Sequence, residues 1–353
     1  MRTHPSKWLG QILAGLTCLA FAAGTTMAQP LPTDYFRGKT INIVVGAGSG
    51  DGYDLYSRLL SEYMGRHIPG EPRFMIQNMP GAGSLRATNF IWEVAPKDGT
   101  YFGSVGGGTA TAGLLDTTNA RFDARRFEWI GSMNSEVGLV LSWATSPFRT
   151  IDDVMQHDFI VGGGGPTSGN VVFPSVLNEV VGSKFKVIVG YKGTGEIAMA
   201  VERGELNGTA SYHYSSIIGR NPDWLQKKQV NVLLQLSLRK HPLFPDVPLV
   251  TDLAQNEEQR AILNLVFARQ EMGRPFMLPP QTPPAIVALL RRAFDATMRD
   301  PALLAEAERR KMDLNQPMSG EEIHALIDRL YLSSPAIIEK AAHAAGPGAG
   351  LGD

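Results

Sequence analysis

Alternating glycines are the sequence feature best suited to chemistry in this chain. Gly46, Gly48, Gly50 and Gly52 follow directly after an apolar run, and apolar residues with helical spacing, Leu55 to Met64, come next. Glycine leaves backbone N–H groups uncovered, and the first amides of a helix have no internal partners and lie at its positive end. The segment therefore predicts a site that binds an anion through the backbone.

A nucleotide phosphate fits this segment poorly. The dinucleotide fingerprint Gly-x-Gly-x-x-Gly begins at Gly46 and Gly48, but its third glycine is replaced by Asp51. The next predicted strand ends in Asn78 where an acidic residue would bind a ribose, and the Walker lysine is missing. We therefore predict no nucleotide cofactor.

The sequence contains no motif or spacing typical of a catalytic or metal-binding site. No Gly-x-Ser-x-Gly elbow occurs, and Gly48-Ser49-Gly50 is the nearest approach to one. The seven histidines are scattered and form no pair with metal-ligand spacing. A net charge of −1 without basic clusters argues against nucleic acid as a partner. We expect a binding protein with no cofactor, no metal and no enzymatic activity; a periplasmic hydrolase is the rival interpretation.

The N-terminus has the pattern of a cleavable signal peptide. Arg2 and Lys7 precede an apolar run from Trp8 to Ala23, and small residues lead to a cleavage site after Ala28. A membrane anchor is the alternative, but the run is short and polar sequence follows it. We predict residues 1–28 as signal peptide and the periplasm as destination. The single cysteine, Cys18, lies inside this segment, so the mature chain would contain no disulfide.

Predicted strands and helices alternate along the mature chain, which indicates an α/β protein. Strands at 41–45, 74–77 and 101–105 each end in a loop of glycine and small hydroxyl residues. Because ligands bind outside the carboxyl ends of strands in open α/β sheets, these loops should converge on one crevice. Their hydroxyl groups are candidate ligand donors and belong to Ser49, Ser84 and Thr109.

The middle of the chain repeats the pattern and predicts a second sheet. A strand at 159–162 opens into the loop 163–170, and a strand at 185–189 opens into the loop 190–195. We therefore predict two domains, the first discontinuous, followed by an alanine- and glycine-rich disordered tail. The predicted limits are 29–134 plus 251–340 for domain 1, 135–250 for domain 2 and 341–353 for the tail.

Four motifs in register resemble the Bug family, the solute receptors of tripartite tricarboxylate transporters. The motifs are an aspartate before a leucine-rich helix (Asp54), an Asn-x-Pro-Gly-Ala-Gly loop (Asn78 to Gly83) with a following Pro-x-Asp-Gly turn (Pro96 to Gly99), a Tyr-Lys-Gly turn (Tyr191 to Gly193) and a Pro-Asp-Val-Pro segment (Pro245 to Pro248). They occur in the family's order over about the whole mature chain. The chain departs from the usual pattern in the first loop and at Ser84-Leu85-Arg86-Ala87.

The resemblance implies a two-domain periplasmic-binding-protein fold of type II that closes on its ligand like a Venus flytrap. It also implies that backbone amides and bridging water hold a ligand carboxylate, which costs little immobilisation entropy. The residues carried over are Ala47, Gly48, Ser49, Gly50 and Tyr53 on one side and Gly165, Pro166, Thr167 and Ser168 on the other. The implied partners are a small organic acid and either the transporter subunits in the membrane or a sensor kinase; we expect a monomer.

Several further residues have two possible roles. Asp54 either contributes to the site or caps the helix that follows it. Arg86 and Arg274 are the arginines near predicted loops that could pair with a carboxylate in bidentate fashion, and surface or helix-dipole roles are the alternatives. Three tyrosines offer a ring or a hydroxyl to a ligand or pack in the core: Tyr53, Tyr191 and Tyr212.

Overall fold

The computed structural model of the protein describes Pro32 and residues 34–115, 120–165 and 168–346. The predicted signal peptide with Cys18 lies outside the described residues, as do Pro166 and Thr167. Across the described ranges, no helix has both the length and the apolar character that a membrane span needs.

The described residues form an α/β structure with two sheets. In chain order the strands are β1 (Thr40–Val45), β2 (Arg73–Asn78), β3 (Tyr101–Ser104), β4 (Glu128–Ser132), β5 (Gly138–Trp143), β6 (Phe159–Gly163), β7 (Phe185–Val189), β8 (Gly208–His213), β9 (Val230–Leu236), β10 (Pro275–Leu278) and β11 (Met318–Ser319). The helices are α1 (Gly52–Tyr63), α2 (Leu85–Glu93), α3 (Thr109–Leu115), α4 (Ile151–Gln156), α5 (Gly169–Val181), α6 (Thr194–Glu202), α7 (Tyr214–Arg220), α8 (Pro222–Gln226), α9 (Glu257–Phe267), α10 (Pro284–Thr297), α11 (Pro301–Arg309), α12 (Gly320–Tyr331) and α13 (Pro335–Ala345).

The first sheet has the strand order β11-β4-β10-β3-β1-β2. β1 pairs in parallel with β2 and β3, and its last residue, Val45, lies opposite Asn78 and Ser104. A largely apolar strand, with Ile41 and Ile43 to Val45, suits this central position because helices cover both faces of a parallel sheet. Ile43 packs in the same core cluster as Leu60 of α1, and Val44 packs in the cluster that includes α2. The carboxyl ends of β1, β2 and β3 therefore lie in line at one edge.

The second sheet has the order β7-β6-β8-β5-β9. β6 pairs in parallel with β7 and β8, whereas β5 is antiparallel to β8 and β9. The strands are divided between the sheets as the two predicted domains require, because β5 to β9 all come from the middle of the chain. The limits of the domains remain a prediction.

The C-terminal helices connect the two halves. α9 and α13 both pack against α5 of the second half, and the rings of Phe173 and Phe267 lie 4.5 Å apart. α13 extends to Ala345, and Ala341 and Ala344 are fully buried. The prediction of a disordered tail beginning at 341 is therefore wrong for residues 341–345, because small alanines are what close helix packing needs.

Candidate functional site

One serine hydroxyl joins the three loops at the edge of the first sheet. Ser84 Oγ donates to the carbonyl oxygen of Gly46 (3.0 Å) and accepts from the N–H of Gly106 (3.1 Å). A Cβ on Gly46 would lie 2.6 Å from the Cβ of Ser84, so the first position must be glycine. The loops after β1, β2 and β3 therefore converge as predicted by their strand order, but the hydroxyl proton of Ser84 is already used within the protein.

The loop after β6 faces these three loops from the second half. Ser168, the residue that precedes α5, places its Oγ 2.6 Å from Asn170 Oδ1, and this oxygen also accepts from the N–H of Gly164 (3.0 Å). A Cβ built on Gly165 would lie 3.7 Å from the backbone nitrogen of Gly83, so the opposing loops are nearly in contact.

A cavity of about 310 Å³ lies between the two sets of loops, and we call it the cleft. Of the predicted site residues, those that line the cleft are Ala47, Gly48, Tyr53, Ser84, Gly165, Ser168, Tyr191 and Arg274. Those that the structure places elsewhere are Ser49, Gly50, Asp54, Thr109 and Tyr212, and two others, Pro166 and Thr167, lie outside the described residues.

Unpaired backbone amides lie on the cleft wall as the glycine pattern predicted. Within the described ranges, the N–H groups of Ala47 and Gly48 have no protein acceptor, whereas Gly46 and Asp51 donate to backbone carbonyls. Gly48 also has open space around it, because a Cβ there would meet no atom within 4 Å. This wall can donate hydrogen bonds to an anion without a side chain.

Two predicted site residues are core residues instead. Tyr212 is buried, its hydroxyl donates to Asn221 Oδ1 at 2.7 Å, and its ring centroid lies 5.4 Å from that of Trp224. Burial raises the pKa of Tyr212 to about 12. Thr109 is buried with its Oγ1 3.3 Å from Thr88 Oγ1. A strand end can place a side chain on the core side as easily as on the cleft side, which the sequence did not distinguish.

Asp54 forms hydrogen bonds that hold the first loop in place. Its carboxylate accepts from the N–H of Gly50 (2.8 Å), from Asn78 Nδ2 (2.9 Å) and from Arg58 Nε (2.9 Å). Burial alone would raise the pKa of Asp54, but these hydrogen bonds and the charge of Arg58 hold it below its usual value. The helix α1 is capped by Asp51, which accepts from the N–H of Tyr53, and not by Asp54.

Arg274 lines the cleft, but its charge is compensated inside the protein. Its Nη2 lies 3.2 Å from Glu136 Oε2 and donates to Ser215 Oγ at 2.9 Å, with both charged side chains 1% exposed. Its guanidinium also stacks on Tyr53, with Cζ 4.7 Å from the ring centroid. This arginine therefore joins α1 of the first half to α7 of the second.

The partners of Arg274 form a buried polar cluster. Burial would raise the pKa of Glu136, but His213, Arg274 and the hydrogen bonds from Ser215 hold it below its usual value. Desolvation lowers the pKa of His213 to about 4, so the imidazole is neutral at pH 7. The cluster supplies no net charge to the cleft.

Sequence reasoning missed two cations of the cleft wall, Arg269 and Lys192. Arg269 lines the cleft, whereas Arg86 is exposed and does not. Arg269 lies two residues after the end of α9, and a cation near a helix C-terminus is ordinary, so its position in the sequence did not indicate a ligand site. Other lining residues that were not predicted include Asp51, Asn170, Phe173, Ser211, Ser216, Gln270 and Met272.

Two sheets whose parallel strands direct their carboxyl ends at a shared cleft define a two-domain binding protein. The chain belongs to the TctC family, the receptors of the tripartite tricarboxylate transporter family, and the family model matches residues 58–342. This confirms the resemblance and the fold class. A comparison with curated proteins finds no match.

The structural match to solved proteins with this fold extends over nearly the full length of those proteins. The periplasmic binding protein BugD is 18% identical, with a TM-score of 0.67 and coverage of 87% of this chain and 98% of its own. MatC from Rhodopseudomonas palustris, with bound malate, is 20% identical, with a TM-score of 0.63 and coverage of 86% and 100%. Another R. palustris protein, with adipate, is 16% identical, with a TM-score of 0.65 and coverage of 87% and 97%.

Proposed function

We propose that this protein is a periplasmic solute-binding protein that captures a small carboxylate in the cleft. It would deliver the ligand to the membrane subunits of a tripartite tricarboxylate-type transporter. Family membership supports a receptor role, and the signal-like N-terminus supports a periplasmic location. The observation that carries the proposal is the cleft wall of unpaired amides at Ala47 and Gly48, which faces Gly165 across the cavity.

The chemistry of this wall favours a carboxylate held without a dedicated side chain. Backbone N–H groups form strong hydrogen bonds to anionic oxygens, and a bridging water replaces a direct contact at a cost of at most about 2 kcal/mol. The contact between Arg220 Nη2 and the carbonyl oxygen of Gly50 joins the two halves beside the site. We therefore expect the halves to close over the ligand.

We propose no chemical step for the bound ligand. The neutral His213 and the ion-paired Glu136 lie beside Arg274, and the Glu136 carboxylate already accepts from Ser215 Oγ and pairs with the arginine. A receptor of this kind should release its ligand unchanged.

Calorimetry on the purified protein with a panel of organic acids tests this function. Gly48→Val should abolish binding, because the side chain covers the free amides while meeting no atom that would disturb folding. Gly219→Val is the matched control, since Gly219 on α7 is equally unobstructed and does not line the cleft. If wild type binds no acid of the panel, or if Gly48→Val binds as well as Gly219→Val, the proposal is wrong.

A further inference from the structure

Arg269 is held between the two halves of the protein at the cleft. A Cβ built on Gly108, in the loop after β3, would lie 2.5 Å from its Nη2, so the guanidinium packs directly on this glycine. Its Cζ also lies 5.1 Å from the ring centroid of Phe173 on α5. One element of each half therefore fixes the position of this side chain.

The charge of Arg269 has no counterpart in the part of the chain that the structure describes. No described carboxylate lies within ion-pair distance of it, and no described acceptor takes its guanidinium N–H groups. Burial lowers the pKa of Arg269, whereas the nearby Arg274 is paired with Glu136 at 3.2 Å. Because an arginine keeps its proton at neutral pH, this partial burial costs free energy that a bound anion would offset.

Two other charged groups on the cleft wall, Asp51 and Lys192, are less suited to hold a ligand carboxylate, the first because it is an anion and the second because water screens its exposed charge. Asp51 caps α1, and Lys192 is largely exposed with Nζ 4.0 Å from Glu196 Oε1. Stacking on Phe173 occupies the face of the Arg269 guanidinium and leaves its N–H edges for a planar acceptor. A carboxylate is the acceptor that this fork of donors fits best.

We propose that Arg269 is the specificity-determining residue of the cleft and binds a second carboxylate of the ligand. The cleft then selects dicarboxylates over monocarboxylates of the same length. This inference rests on the proposed function, which assigns the first carboxylate to the amides of Ala47 and Gly48.

Calorimetry with matched acid pairs tests the role of Arg269. The probes are succinate, glutarate and adipate, each beside its own monoamide, which has the same length but one carboxylate less. Wild type should bind at least one diacid about 30-fold or more tighter than its monoamide. Arg269→Gln should remove this preference by weakening diacid binding alone, whereas Arg86→Gln, a change at an exposed arginine outside the cleft, should retain it.

A second variant moves the guanidinium without removing its charge. Gly108→Ala places a methyl group where Nη2 and Cζ now lie, and these atoms belong to the flexible end of Arg269. We expect the variant to keep the melting temperature of wild type and to lose the preference for diacids. Retention of the full preference by Gly108→Ala would contradict the proposal.

The possible failures are distinguishable. If wild type binds diacids and monoamides equally, or if Arg269→Gln weakens both by the same factor, Arg269 does not read a second carboxylate while the proposed function stands. If wild type binds neither member of any pair, the proposed function fails and this inference fails with it.

Discussion

Replacing Arg274 by methionine should destabilise the protein by about 3–5 kcal/mol at pH 7. The side chains of Arg274 and Glu136 are each 1% exposed, and their charged atoms lie 3.2 Å apart. Removal of the arginine leaves a carboxylate buried beside a neutral His213, and the hydrogen bonds from Ser215 offset only part of its lost hydration. The loss therefore measures an unpaired buried charge.

The pH dependence of this loss follows from the pKa of Glu136. In wild type that pKa lies below its usual value, so the carboxylate contributes stability at neutral pH that is lost as the pH falls through the folded-state pKa. In Arg274→Met, burial without the arginine should raise the pKa above its unfolded value. The difference in stability between the variant and wild type should therefore grow as the pH rises and shrink as the pH falls.

Urea denaturation at pH 5 and pH 7 measures both effects. Arg203→Met is the matched control, because the Arg203–Glu205 pair is more than half exposed and should contribute less than about 1 kcal/mol. The reasoning would be refuted if Arg274→Met lost no more than the control at pH 7. A large loss that was equal at both pH values would also contradict the role assigned to Glu136.

Three further predictions concern other parts of the protein. Ser84→Ala should cost about 1–3 kcal/mol in unfolding experiments because it leaves two backbone groups without partners, whereas Ser49→Ala at an exposed position should be neutral. Because the pKa of His213 is lowered from 6.5 to about 4, between these pH values its imidazole binds a proton in the unfolded chain but not in the folded one, so the stability of wild type should decrease as the pH is lowered through that window. In urea titrations His213→Gln should reduce this dependence of stability on pH, and an unchanged dependence would exclude His213 as its source. Ala341→Lys should lower the melting temperature by several degrees because it buries a charge in α13, and an effect as small as that of Ala336→Lys at an exposed site on the same helix would argue against the packing of α13.

The elements at the cleft were predictable from local chemistry. Glycines after an apolar run indicate a turn into a helix N-terminus, and parallel strands bring such turns to one edge of a sheet, so the loops at Gly46, Ser84 and Gly106 were expected to meet. The same reasoning applied to the loop near Gly165. These statements need only the period of apolar residues and the backbone freedom of glycine.

The roles of individual side chains were less predictable, because they depend on which partners the fold brings near. Arg274 was a candidate ligand arginine from its position, yet it pairs with Glu136, which is distant in the chain. Tyr212 lies near the end of β8 at the predicted site, but its ring packs on Trp224 in the core. The spacing of residues predicts the face of a helix or strand on which a side chain lies. It does not predict which distant residue packs against that face.

The sequence by itself determined the alternation of strands and helices, the two sheets and the amide-rich loops, since each of these depends on residues close together in the chain. Only the tertiary structure decided which charges are compensated. Arg274 and Arg269 are both arginines near the end of α9, but one lies against Glu136 and the other lies against Gly108 and Phe173. Charge compensation depends on distances of a few ångströms between segments that are far apart in sequence, and those distances are set by packing.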